Sequence, residues 1–364
     1  MHIQSWRDGC GVTIRPTISI AVTDVAGVRA TIVGSLPKPV QIAEPEKLFS
    51  PWRMAGVDLQ SAQDAAVVHW LRVQVGAGLD VLTDGEQRRR HYIWGFLEGL
   101  TGIDMETLGR KPSRGQRYRA ETPVARIVGE VTWRGPVFAE ALRFAKRHTM
   151  RPVKVTLPGP MTTADSVLDA IGRRSDADLA LLFAELLNKE AKGLAEAGAD
   201  VIQFDEPCFN IYVDAVRDWG IGALERAMAG VDARIAVHIC YGYGVPQVKE
   251  WKSRNQDWSH YNYTLPLLAK SRVDQVSIEA AASGVDVSVI EVLRGKDVLL
   301  GVISCSTHEI ETAELVAGRL HRALPYVEPR HLFGCTDCGM VPLPVDVAAA
   351  KLRALGDGVR LINQ

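Results

Sequence analysis

At 364 residues, 47% hydrophobic and 23% charged, the chain can bury a large core, either as one big α/β domain or as two ordinary ones. A formal net charge of −1, a pI of about 6.8 and the lack of a basic stripe argue against nucleic acid or a membrane surface as partner, leaving a small molecule as the default. No apolar run approaches the ~20 residues that span a bilayer, and Arg7 and Asp8 before a broken apolar stretch do not form a secretory signal, so a cytoplasmic protein is expected.

Residues 1–28 carry Pro16 and show no dependable period; they read as an N-terminal extension to a single domain over 29–364. Ala30-Thr31-Ile32-Val33 is a β-branched strand stopped by Gly34, Pro37 and Pro39. A capping box at Ser61–Asp64 predicts a helix with Ala65, Val68, Leu71 and Val75 on one face, closed by Gly76 and Gly78. Residues 80–86 then form a strand ending in Asp84 and Glu86. The unit recurs: Ser175 and Asp178 cap a helix ended by Gly198, and Asp200–Phe204 is a strand ending in Asp205 and Glu206. Residues 101–133 read as an excursion, a hairpin by its β-favouring ends. Further strands are predicted at 152–157, 235–240, 273–279, 298–303 and 331–334, with an aromatic, lid-like insertion from Tyr241 to Tyr263. Eight strands alternating with helices, and no dinucleotide-type glycine fingerprint, predict a (β/α)8 TIM barrel with excursions after its second and fifth strands.

In such a barrel the strand C-termini carry the chemistry. His238 and Cys240 share one strand face, and each alone reads equally as an inward core residue. The six cysteines (Cys10, Cys208, Cys240, Cys305, Cys335, Cys338) do not make a disulfide framework in a reducing compartment. Collected from the strand ends, His238, Cys240, Glu279 and Cys338 offer an N/S/O/S set for zinc, while Cys335-x-x-Cys338 alternatively spells a redox pair. Two thiolates and a carboxylate overcompensate the ion, which suits a site that activates an attacking thiol better than one that hydrolyses.

From Ala30 onward the chain resembles the catalytic, C-terminal barrel of cobalamin-independent methionine synthases, in a short single-barrel form. The resemblance rests on Ile32-Val33-Gly34-Ser35-Leu36-Pro37, Asp84-Gly85-Glu86, Leu157-Pro158-Gly159-Pro160-Met161-Thr162, Ile202-Gln203-Phe204-Asp205-Glu206-Pro207, His238-Ile239-Cys240-Tyr241, Ser277-Ile278-Glu279 and Asp337-Cys338-Gly339, in that order. It implies that His238, Cys240, Glu279 and Cys338 are zinc ligands and that Val33, Gly34, Ser35, Glu86 and Asp205 hold the amino acid part of homocysteine. The alternative for Asp205 and Glu206 is that they cap the next helix.

Departures from the family pattern fall on the methyl-donor side. Ser306 stands where the family's proton-donating histidine is expected, with His308 two residues on; Ile211 replaces an acid used on folate, Ser166 a tryptophan, and Ala120 and Glu121 occupy the further folate-contact loop. The expected function is therefore zinc-dependent methyl transfer to homocysteine, giving methionine, from a donor other than conventionally bound methylfolate polyglutamate. Alternatives are alkyl transfer involving another thiol such as coenzyme M, delivery by a methylated corrinoid protein, a zinc hydrolase, and a binding subunit with structural zinc. A homodimer is left open.

Overall fold

The computed structural model describes residues 27–118 and 121–364, so the call on residues 1–28 falls almost wholly outside the described residues. Its main sheet is parallel and curls through β1 (Arg29–Ala30), β10 (Leu332–Thr336), β9 (Asp297–Ile303), β8 (Gln275–Ile278), β7 (Arg234–Ile239), β6 (Val201–Asp205) and β4 (Lys154–Pro158). Residues 80–83 supply the eighth stave. Asp80 N–H bonds to Ala30 O at 2.9 Å on one side, and Lys154 N–H to Leu82 O at 2.7 Å on the other, which closes the barrel. This stave is too short to pair as a full strand because the buried Gln74 side chain takes both Thr83 backbone groups, at 3.0 and 2.9 Å.

The repeated helix-strand unit has a physical basis. Gly78 and Gly198 end their helices at φ +86° and +91°, a left-handed conformation that glycine adopts without strain. The aspartates that follow, Asp80 and Asp200, each accept an N–H at the start of the preceding barrel strand, Ala30 and Val153, at 2.8 Å; Asp274 does the same for Ile235. The capping box at Ser175 and Asp178 is present. The one expected at Ser61 is not: that helix runs Gly56–Ala77 from an Ala55 N-cap. Its start is set by packing, because Leu59 and Ala62 cover the Ile42–Ala43–Ala66 cluster.

Alternate residues of the strands face inward, where Val33, Val81, Val201, Ala236, Leu299, Phe333 and Cys335 form an interior cluster, while Ile202, Phe204 and Val237 pack under the helices. Below that cluster lies Asp297, bonded to Arg234, Gln275 and His331 at 2.9, 3.0 and 2.8 Å. The excursion after the second stave is a hairpin of β2 (Ile103–Lys111) and β3 (Thr122–Ile127), joined in parallel by β5 (Val167–Asp169). The insertion after β7 contains the helix Pro246–Arg254 and runs into the helix His260–Lys270.

Candidate metal centre and substrate site

The period of two along β7 carries His238 and Cys240 to the mouth of the barrel, where the turn after β10 brings Cys338 against them. One ligand atom from each lies within 4.8 Å of the others, and all three residues are buried. The two sulfurs are 3.6 Å apart. A hydrogen bond from Cys338, with His238 beside it, holds the Cys240 thiol well below its usual range, and the same bond pushes Cys338 well above it. Burial alone would lower the His238 imidazole, but the Cys240 thiolate and Asp205 outweigh it and raise its pKa.

The donor set suits zinc. A tetrahedral ion with Zn–S near 2.3 Å separates two sulfurs by roughly 3.8 Å, close to the 3.6 Å found. His238 Nδ1 bonds to Ser277 Oγ at 2.9 Å, which leaves Nε2 buried without a partner and available as a ligand atom. Glu279 lies outside the three-residue group. Its carboxylate accepts from Lys252 Nζ at 2.5 Å and from the Tyr241 N–H at 3.0 Å. Cys335 faces the apolar barrel interior while Cys338 meets Cys240, so these two are not joined as a redox pair.

Two buried acids stand at the same mouth, Asp205 in register with His238 on the neighbouring strand and Glu86 after the second stave. Asp205, on β6, is fixed by Gln203 Nε2 at 2.8 Å; Gln203 also donates to Val33 O and accepts from Lys154 Nζ. Burial, and then the neighbouring Glu86, push Asp205 up to about 7. Glu86 adopts φ +56°, a left-handed backbone that costs a non-glycine residue about 1–3 kcal/mol and here turns its carboxylate onto Thr156 Oγ1 at 2.7 Å. A Cβ on Gly34 would lie 2.6 Å from Thr156 Cγ2 and 3.0 Å from Glu86 Oε1, so glycine lets the first loop cross directly over the acid. Ser35 Oγ is buried without a hydrogen bond of good geometry. Val33, expected to offer its backbone, has its N–H on Thr336 Oγ1 at 3.1 Å and its carbonyl on Gln203 at 2.9 Å. Glu206 caps not the next helix but an earlier one, beginning at Pro160, by accepting the Met161 and Thr162 N–H groups at 2.9 Å each.

Beside this site opens a cleft of about 520 Å³, walled by Tyr92, Trp94, Arg114, Tyr118, Ser166 and Tyr243. Arg114 pairs with Asp165 and donates to Ser166 Oγ at 2.7 Å. Ile211 packs under the turn at Gly115. Glu121 is exposed, and Ala120 lies outside the described residues. In the loop after β9, Ser306 is half-buried and His308 exposed; neither belongs to the metal group. Over the mouth, Arg117 of the excursion stacks on Trp251 at 4.2 Å, and Tyr118 Oη accepts the Tyr243 N–H at 3.1 Å. Sequence reasoning missed Ser277, Lys252, Arg114 and Arg117: each is a common polar residue whose role depends on what folds against it.

Residues 28–359 match the family described as cobalamin-independent synthase, catalytic domain. The methionine synthase of Sulfurisphaera tokodaii is 31% identical over 337 residues, 92% of each chain. That of Saccharolobus solfataricus is 30% identical over 339 residues, 92% of this chain and 94% of the relative. Among solved structures, a B12-independent methionine synthase from Shewanella sp. W3-18-1, in complex with selenomethionine, has a TM-score of 0.89 at 42% identity, over 93% of this chain and 98% of that one. A methyltransferase from Methanosarcina mazei, at 16% identity and a TM-score of 0.59 over 92% of this chain and 95% of that one, shares the fold. Among the described residues no helix is long and apolar enough to cross a membrane. The chain belongs to the cobalamin-independent methionine synthase catalytic-domain family and is a methyltransferase.

Proposed function

We propose that this chain is a cytoplasmic, zinc-dependent enzyme that methylates the sulfur of L-homocysteine, and that its donor is not methylfolate polyglutamate bound in the family's usual way. The observation that carries the reading is a buried His238–Cys240–Cys338 cluster with an unpartnered Nε2 and, at the same barrel mouth, two buried carboxylates, Asp205 in register beside His238 and Glu86. Zinc in that cluster would favour the thiolate form of a thiol brought to it while leaving the sulfur nucleophilic. Glu86 and Asp205 are placed to share the substrate ammonium, whose charge relieves their mutual repulsion. The Ser35 hydroxyl and the backbone at Gly34 face the substrate carboxylate; Val33 contributes by anchoring that loop. The selenomethionine held by the Shewanella relative is an analogue of the expected product and supports an amino acid as ligand of this chain.

Glu279 serves as the fourth group of the metal site. The donor enters through the 520 Å³ cleft, where Ser166 and Arg114 stand in place of the expected folate contacts. For the leaving group's proton the loop after β9 offers Ser306 and, at its tip, His308. The paired acids favour an amino acid acceptor over coenzyme M, and a single histidine among the ligands disfavours a hydrolase. Metal analysis should find about one zinc per chain, lost in Cys240→Ala and Cys338→Ala. Calorimetry should show zinc-dependent homocysteine binding with proton release; a chain that turns over without metal refutes the site. Turnover with methylfolate triglutamate would overturn the donor reading.

A further inference from the structure

In the turn after β7, the sequence Gly242-Tyr243-Gly244 sets one large side chain between two glycines. Its backbone has little freedom: a Cβ on Gly244 would overlap the Cys305 carbonyl of the loop after β9, and the Tyr243 N–H is taken by Tyr118 Oη at 3.1 Å. The ring meets Tyr92 edge-on, with centroids 5.9 Å apart, and walls the cleft on one side. Its hydroxyl end points elsewhere. A Cβ on Gly339 would overlap Ser35 Oγ and lie 2.8 Å from Tyr243 Cε1 and 3.2 Å from Tyr243 Oη, so the glycine leaves open the space on which the two hydroxyls converge. The Met340 N–H, on Ser35 O at 2.8 Å, holds that turn in place.

Ser35 is 4% exposed, and its Oγ makes no hydrogen bond of good geometry among the described residues. A buried hydroxyl in that state is costly, and a second one beside it favours a ligand that accepts from both. Burial, and then the nearby Glu86 carboxylate, push the Tyr243 phenol well above its usual range, so it remains a donor at neutral pH. The neighbouring groups fix the charge of that ligand. Gly34, the residue before Ser35, crosses directly over Glu86, so the two hydroxyls adjoin the acids that receive the substrate ammonium. In an α-amino acid the group one carbon from the ammonium is a carboxylate, an acceptor only. We propose that Tyr243 is a specificity-determining residue of the acceptor site: its hydroxyl, together with that of Ser35, donates to the α-carboxylate of the bound amino acid. This rests on the homocysteine reading above. One side chain then serves both substrates, with its hydroxyl toward the amino acid and its ring toward the cleft.

The test uses the full chain loaded with zinc and compares, by calorimetry, L-methionine with L-methioninol, in which a CH2OH group replaces the carboxylate. Tyr243→Phe keeps the ring and drops the hydroxyl. It should raise the Kd for methionine roughly ten- to a hundredfold, as expected for a hydrogen bond to a charged group, and change that for methioninol by less than about twofold. Ser35→Ala should show the same selectivity for the carboxylate. A phenol that only props the insertion would lower the melting temperature and weaken both ligands alike. That result, or a Tyr243→Phe chain that binds methionine as the wild type does, overturns the proposal. A zinc-loaded wild-type chain that binds neither methionine nor homocysteine overturns the acceptor reading itself, before any variant is compared.

Discussion

Asp205→Asn should make the metal-stripped chain more stable at pH 8 and a poorer binder of its amino acid. Burial, with Glu86 adding to it, raises the Asp205 carboxyl from 3.8 to about 7. Because the folded value lies above the unfolded one, the native chain keeps a proton that the unfolded chain has lost between pH 4 and 7. Stability therefore falls as pH rises through that window, by about 4 kcal/mol in all for a shift of this size. Asparagine cannot ionise, and its Oδ1 can still accept from Gln203, so the variant should match the wild type near pH 4.5 and exceed it at pH 8 by up to that amount. The attraction to His238 and Lys154 is already contained in that shift. Urea denaturation in a chelator at the two pH values measures the first effect. Calorimetry with methionine, whose thioether carries no titrating proton, measures the second. A charge-assisted hydrogen bond is worth about 1.5–3 kcal/mol, so methionine should bind the variant roughly ten- to a hundredfold more weakly at pH 8. Wild-type binding should fall about tenfold per pH unit below 7 until it reaches the level of the variant, which should be flat there. An Asp205→Asn chain less stable than the wild type at both pH values would show that the acid is structural and not held ready for an ammonium.

Three further outcomes follow from the same geometry. Ser277→Ala removes the partner of His238 Nδ1 and should weaken zinc about ten- to a hundredfold, read by competition with a chelating dye, with little change in melting temperature. Asp297→Asn takes the charge from a floor where Arg234, Gln275 and His331 converge; it should cost about 3 kcal/mol in denaturant unfolding and leave KM for homocysteine unchanged. Arg117→Ala removes the cation stacked on Trp251 and should speed proteolytic cleavage within residues 241–263 while raising KM for the donor more than for homocysteine.

The barrel was legible because strands of a parallel sheet, covered on both faces, read as nearly continuous apolar runs, and the polar residues that interrupt them mark their ends. His238 with Cys240, Glu86 with Asp205, and Cys338 could be placed at one mouth on that ground alone. What escaped were effects of partners distant in sequence. The Gly56 helix start is decided by a cluster around Ile42, and the short stave at 80–83 by Gln74. Asp205 and Glu206 are adjacent and chemically alike, yet β6 turns one into the barrel and the other onto the N–H groups of Met161 and Thr162. Nothing in the sequence separates Lys252 from Lys249 on the same helix, since only the folded insertion puts one of them against Glu279.

Both departures from the βα repeat converge on one place. The excursion after the second stave sends Arg114, Arg117 and Tyr118 to the mouth; the insertion after β7 sends Tyr243, Trp251 and Lys252. The two segments touch each other there, through Arg117 on Trp251 and Tyr118 on the Tyr243 N–H, so neither can shift without moving the other. The residues proposed to hold thiol and amino acid sit on strand ends or the turns directly after them, where the barrel fixes them; the cleft proposed for the donor is built mostly from these two covers. A change of methyl donor therefore needs rebuilding only in loops, and it leaves His238, Cys240, Cys338, Glu86 and Asp205 in place. Two covering residues reach back into the acceptor site, Tyr243 beside Ser35 and Lys252 on Glu279, so a change in the donor-side cover would be felt there.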